Sequence, residues 1–290
     1  MKNTTAFICF VIFIFTACQK DITSDIDPVV TPPLPQDSTL LALFIGLDAT
    51  AVPPQDTIAK TYFYYDSNKR NTSIDLVYYD NGIPSEYQYH STLFYQGTDT
   101  LPYKRSVITN AIPTSNTDYV NDTCYYYYNN LKLVKDSAIF PSPITRQFQY
   151  TSNQVITTTT DYYNPQSPYI YKDTVSVAYQ NGNIISQVNT SVATAKQNFK
   201  FVYDNHPNPF ARTQNKIAID NRFPYYYMEA FVSEIFGTHN PLEIDQTQQL
   251  YNYHYKFTYE YNQAGYPKII NLFDQNDPSV IEKGLYFYTK

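Results

Sequence analysis

The sequence predicts an all-β fold, a long antiparallel meander of repeated hairpins forming one large curved sheet, either open or closed into a barrel-like structure. Three observations carry that expectation. Tyr251, Tyr253, Tyr255, Phe257, Tyr259 and Tyr261 alternate with Asn252, His254, Lys256, Thr258 and Glu260, and a period of two gives a strand one greasy and one wet face. At about 3.3 Å per residue this strand spans roughly 36 Å, long for a globular protein, so a large sheet follows. Asp80-Asn81-Gly82 and Gln180-Asn181-Gly182-Asn183 place Asn-Gly between apolar runs, a strong hairpin signal because both residues tolerate positive φ. Finally, the chain holds 32 Tyr and 18 Phe with no Trp and only 7 Gly. Such residues suit a half-buried pleated sheet, and a disordered coat is excluded because disordered chains are poor in aromatics. Helix signals are nearly absent; in the best stretch, Tyr226 to Phe236, Ala230, Ile235 and Phe236 form no continuous stripe.

Taken in chain order, residues 1–17 read as an export leader. Lys2 opens it, and Ala6 to Phe15 is apolar apart from Cys9. About ten residues rise only some 15 Å as a helix, half of a bilayer's hydrocarbon thickness, so this is no membrane span. Phe15-Thr16-Ala17-Cys18 resembles the lipobox of bacterial lipoproteins, with Phe15 in place of the usual Leu. The resemblance implies cleavage after Ala17 and acylation of Cys18, whose chains would hold the protein on a membrane. The competing reading is a plain secretory leader with a chance cysteine. Gln19, Lys20, Asp21, Asp25 and Asp27 are similar in part to the acidic export tags of Bacteroidota surface lipoproteins.

Removing the leader takes away Lys2 and no acid, leaving 19 bases against 26 acids. A phosphate backbone would be repelled, and with no basic stretch nucleic acid is disfavoured as a partner. Cys124 is then the lone free thiol, so no intramolecular disulfide is expected and packing must hold the fold. Residues 18–60 read as a Pro-rich tether through Pro28, Pro32, Pro33, Pro35, Pro53 and Pro54. Inside it, Leu40 to Leu47 is apolar and is expected to dock onto the domain as a first strand or a short helix.

Residues 61–290 read as a single antiparallel β-domain. Tyr87, Tyr89, Leu93 and Tyr95 alternate with Ser91 as the weak point, and Val175, Val177 and Tyr179 precede a turn. Tyr65-Asp66-Ser67-Asn68, Tyr128-Asn129-Asn130, Tyr203-Asp204-Asn205 and Tyr261-Asn262-Gln263-Ala264-Gly265 are further turn candidates. Together they form a degenerate repeat: an aromatic, any residue, Tyr, a Tyr or polar residue, an Asx-rich turn, then an apolar residue starting the return strand. Hairpins in series make a meander. The repeat resembles the Tyr-Asp repeats of bacterial cell-surface proteins. Phe201-Val202-Tyr203-Asp204 followed by Asn208-Pro209-Phe210, with Tyr259-Glu260-Tyr261 and Gly265-Tyr266-Pro267, looks more like an uncharacterised Bacteroidota surface lipoprotein domain described with a porin-like fold. That likeness is best over residues 195–290. It implies a surface-anchored β-meander of unknown function, and its matching turn and strand residues carry no chemistry.

No Gly-x-Ser-x-Gly elbow, phosphate-cradling glycine loop, Cys-x-x-Cys or His-Glu-x-x-His is present. No catalytic residue, metal site or cofactor is therefore assigned, and the expectation is a protein that is not an enzyme. His90, His206, His239 and His254 lie far apart in sequence. His254, beside Lys256 and Glu260 on a wet face, reads as one of a set of cross-strand polar pairs. Tyr125 to Tyr128 and Tyr225 to Tyr227 run without alternation, so each puts rings on both strand faces or lies in a loop. An open side would stack on sugars or grip a protein; a strand buried on both sides by a curled sheet is the structural alternative, and the one favoured for both runs. Tyr225, Tyr226 and Tyr227 are the candidate ligand contacts. The functional expectation is an outer-membrane-anchored, surface-exposed lipoprotein acting as a non-enzymatic β-scaffold for an extracellular glycan or protein. A carrier of an apolar ligand in a curled sheet and an integral outer-membrane barrel are the alternatives.

Overall fold

The structure, a computed structural model, describes residues 40–49, 57–80, 82–110, 120–130, 132–139, 143–151, 154–162, 168–181, 183–191, 196–209, 238–248, 251–274 and 277–289. Strands follow one another throughout: β1 (Leu41–Asp48), β2 (Thr57–Tyr65), β3 (Asn71–Asp80), β4 (Ile83–Phe94), β5 (Lys104–Asn110), β6 (Val120–Asn129), β7 (Lys132–Ala138), β8 (Ile144–Tyr150), β9 (Gln154–Asp161), β10 (Tyr169–Gln180), β11 (Asn183–Ser191), β12 (Gln197–Pro207), β13 (His239–Gln248), β14 (Tyr251–Tyr261), β15 (Pro267–Asp274) and β16 (Asp277–Tyr288). Each pairs antiparallel with its neighbours in the chain. β1 then meets β16 from Leu41↔Tyr288 to Asp48↔Glu282, and the meander closes into a barrel. Just past the seam the Thr289 N–H donates to the Leu40 carbonyl at 2.8 Å.

The apolar segment at Leu40 to Leu47 is thus a strand, and the barrel begins at Leu41 rather than at residue 61. Leu41 to Asp48, within the segment read as a tether, is therefore a hydrogen-bonded strand of the barrel. The hairpin turns behave as their residues require. Asn130 (φ 48°), Asn181 (φ 52°) and Gly82 (φ 75°) take the left-handed conformation that tight turns demand. In the β2–β3 turn the Asp66 carboxylate accepts from the Asn68 and Arg70 amides, both at 2.9 Å, and from Arg70 Nε at 2.7 Å. Tyr203-Asp204-Asn205 is not a turn. β12 runs through it to Pro207: the Asp204 carboxylate accepts from the His206 amide two residues on, as in an Asx turn, but also from Asn240 on the facing strand, and the strand continues.

Alternation sends the aromatic face inward. Phe44, Phe63, Ile74, Leu76, Phe199, Phe201, Ile244, Phe257, Ile270, Leu272 and Tyr286 form one core on the strands flanking the seam. Leu93, Cys124, Tyr126, Leu133, Ala138 and Phe148 form a second on β4 and β6 to β8. Beside the second core the interior is polar, and Arg146 is held by the Asp136 carboxylate through Nε (3.0 and 3.1 Å) and Nη2 (2.5 Å), both residues buried.

Tyrosine hydroxyls tie one rim of the barrel. Near the end of an even-numbered strand a Tyr donates to a backbone carbonyl near the start of the preceding odd one: Tyr65 to Leu41 (2.8 Å), Tyr95 to Asn71 (2.8 Å), Tyr128 to Pro102 (3.0 Å), Tyr150 to Leu133 (2.7 Å), Tyr259 to Pro241 (2.8 Å) and Tyr288 to Pro267 (2.7 Å). This is the physical content of the degenerate repeat. Each such bond contributes about 1 kcal/mol net, and each satisfies a hydroxyl that would be costly to bury alone.

Burial pushes the hydroxyls of Tyr65, Tyr78, Tyr95, Tyr128, Tyr259, Tyr286 and Tyr288 above the ordinary tyrosine value of 10.0. The folded protein keeps these protons when the unfolded chain releases them, so their contribution is whole below pH 10 and shrinks as pH rises, by about 1.4 kcal/mol per pH unit for each. Alkaline titration should give one steep unfolding transition by circular dichroism, with tyrosinate absorbance appearing in the same step; gradual tyrosinate growth in a folded barrel would contradict it. At the seam, a Cβ on Gly284 would lie 2.6 Å from Phe44 ring atoms and from the Ile270 Cγ2 methyl. Gly284→Ala should cost about 1 to 3 kcal/mol by overpacking, measured as a lowered denaturant midpoint.

Candidate functional site

The outer face of the barrel is where a partner would meet it. On β14 the outward residues are Asn252, His254, Lys256, Thr258 and Glu260, the wet face read from the sequence. Their partners stand on adjacent strands: His254 Nδ1 lies 2.5 Å from Asp245, Lys256 Nζ 3.7 Å from Glu243 and Lys268 Nζ 4.0 Å from Glu260. The cross-strand reading of His254 holds. His90 is a second instance, on Asp75 across β3 and β4, with Thr92 Oγ1 at 3.0 Å from its other nitrogen. Among the described residues no three His, Cys, Asp or Glu side chains gather as a metal site.

Tyr125 to Tyr128 lie on β6 and divide between its faces. Tyr126 is buried inside and Tyr128 ties the rim, whereas Tyr127 points outward and is 48% exposed. Burial on both sides is therefore overturned for this run, because the closed sheet has only one dry face. Lys135 Nζ sits 5.1 Å from the Tyr127 ring centroid, and Lys104 Nζ 4.0 Å from that of Phe94, so cations flank the outer rings on β4 to β7.

An apolar patch interrupts the polar exterior at the seam. Leu43 stands opposite Phe287 and Tyr62, and Ile45 opposite Leu285, which in turn faces Ile269. These side chains point away from the inner core. Phe287 and, beside Tyr62 on β2, Tyr64 are 46% and 45% exposed. Burial raises the Tyr64 hydroxyl, and its hydrogen bond with Asp75 adds to the effect. No chemical motif of the sequence includes these residues. The signal was present in Leu41 to Leu47, where both faces of a strand are apolar although only one can face the core.

On the tied rim a polar cluster joins β12, β13 and β14. The Asp204 carboxylate accepts from the His206 amide (2.9 Å), the Asn240 amide (3.1 Å), Asn240 Nδ2 (3.1 Å) and the Tyr261 hydroxyl. The His206 ring stacks on Tyr261 at 3.8 Å. Burial raises the Tyr261 hydroxyl, and the Asp204 hydrogen bond and charge raise it further. Ala17, Cys18, Tyr225, Tyr226 and Tyr227 lie outside the described residues, as does the weak helix candidate Tyr226 to Phe236.

No family profile and no curated protein matches the chain. Among solved structures it is similar to a porin-like protein from Bacteroides uniformis, with a TM-score of 0.52, 11% identity, and coverage of 85% of this chain and 96% of that one. A porin-like protein from Bacteroides vulgatus gives a TM-score of 0.48 at 11% identity, covering 87% of this chain and 99% of that one. At such identity the likeness to the Bacteroides uniformis protein is one of fold alone.

The rim cluster should be structurally costly to disturb and the outer face cheap. Asp204→Asn is expected to lose about 1.5 to 3 kcal/mol, the range for hydrogen bonds to a charged group. Asp245→Asn, which removes an exposed partner, should change stability by under about 0.5 kcal/mol. Equal denaturant midpoints for the two variants would refute this division.

Proposed function

We propose that this chain is an outer-membrane-anchored surface lipoprotein, a non-enzymatic β-scaffold that offers its outer face to an extracellular glycan or protein. The observation that carries the reading is the direction of alternation on the strands flanking the seam: aromatic and aliphatic side chains fill the inside there, while Lys200, Glu243, Asp245, Lys256 and Glu260 stand on the outside. A lipid-spanning barrel needs the reverse, since a Lys or Arg on the lipid face costs about 2 to 4 kcal/mol at the midplane. Acyl chains on Cys18 would supply the membrane attachment that such a wall cannot. The fold likeness to the Bacteroides uniformis protein supports an outer-membrane setting. Exposed Tyr127, next to Lys135, is the kind of ring that stacks on sugars or anchors a protein contact. An apolar cargo is less well supported, because the inward side chains Phe44, Phe199 and Ile244 are already out of reach of solvent.

The test compares protease shaving of intact cells carrying the wild type or Cys18→Ala, alongside purification of the chain from residue 19 without detergent. A monodisperse detergent-free protein, shaved from wild-type cells and released or retained inside in Cys18→Ala cells, is the expected outcome. A chain that stays soluble only in detergent would restore the integral barrel.

A further inference from the structure

The seam patch has a position as well as a composition. We infer that it is a membrane-docking face, on which the barrel lies with Leu43, Ile45, Tyr62, Leu285 and Phe287 against the bilayer that holds its amino terminus; this rests on the lipid-anchored reading above. β1 is the strand the anchor leads into. Only residues 19–40, 22 in all, separate Cys18 from Leu41. Such a leash reaches at most about 80 Å when fully extended; a flexible coil of this length averages about 25 Å, and its four prolines lengthen that average. The seam is therefore kept near the bilayer at high effective concentration, and a weak docking surface suffices.

Composition agrees with position. Leu and Phe at the centre with Tyr62 and Tyr64 at the edge is the amphipathic make-up of the membrane interface. The chain as a whole has a net charge of −6, yet Lys60 stands opposite Ile45 and Lys283 opposite Leu47. The nearby Lys268 is offset by Glu260, and Asp75, one strand beyond Tyr62, is engaged by His90. Long lysine stems would lie along the apolar patch with their ammonium groups at anionic headgroups.

The absence of tryptophan makes the inference directly measurable. The chain from residue 19, with a His tag in place of Cys18, would be held on vesicles of phosphatidylethanolamine and phosphatidylglycerol doped with a nickel-chelating lipid. The barrel closes within Leu41 to Tyr288, so this chain retains the whole fold. Phe287→Trp places a reporter in the patch, and Gln147→Trp places one on exposed β8. Phe287→Trp is expected to shift to the blue and to be quenched by brominated acyl chains, Gln147→Trp to do neither. Adding Leu43→Ser and Ile45→Ser to Phe287→Trp should abolish the quenching while the strand spectrum persists. Equal quenching of both reporters, or of neither in a folded chain, overturns the inference. A Phe287→Trp blue shift that grows with protein concentration without vesicles would assign the face to a second copy of this chain. Because the tag replaces the acyl anchor, failure here would leave Cys18 acylation standing, and unprocessed Cys18 in cells would leave the docking result standing.

Discussion

The placement of the tyrosine hydroxyl governs this barrel. An interior filled with rings and lacking a disulfide must put its polar atoms where partners exist, and the rim supplies unclaimed carbonyls. The repeat encodes this as a depth rule. The inward residue two positions before the tying Tyr is deep and buried: Phe63 before Tyr65, Leu93 before Tyr95, Tyr126 before Tyr128, Phe148 before Tyr150, Phe257 before Tyr259 and Tyr286 before Tyr288. Each tie joins the end of one strand to the beginning of its neighbour. A slip of one residue would turn the ring outward and strand the carbonyl, so the tie also fixes register.

The strands and most turns were legible because their signals are local. Period two in Tyr251 to Tyr261 and positive φ at Asn130 and Asn181 depend on a few adjacent residues. Closure was not legible. It depends on Leu41 meeting Tyr288 and on Gly46 lying opposite Gly284, and no short-range pattern states that pairing. Tyr203-Asp204-Asn205 misled for a related reason, since the same Asx chemistry that closes a turn also serves a facing strand when Asn240 and Tyr261 stand opposite. In the candidate surface, the polar wall around His254 was readable from alternation. The seam patch was not, because its outer apolar residues look like core until the inner face is known to be filled by others.

Antiparallel pairing, twist and register are indifferent to the medium outside a barrel. Only the parity of the side chains decides whether lipid or water is suited to the wall. Likeness in fold to a porin-like structure at 11% identity therefore leaves the parity of the wall unspecified. Here Phe257 and Tyr259 take the inside and Lys256 and Glu260 the outside. Exchanging parity on every strand would keep the topology and change the solvent.

Closure also explains why the seam is apolar on both faces. Joining ends about 250 residues apart in a flexible chain costs roughly 5 kcal/mol of entropy, more than any pairing between chain neighbours. Inside, Phe44 meets Tyr286 edge to face at 4.9 Å, and its ring lies where a side chain at Gly284 would stand. Outside, Leu43 lies beside Phe287 and Ile45 beside Leu285, adding lateral burial to the same two strands. Lateral packing uses only the flanks of these side chains. Their outer surfaces stay open, so a strand pair that closes the barrel also presents an apolar face to whatever lies next to it.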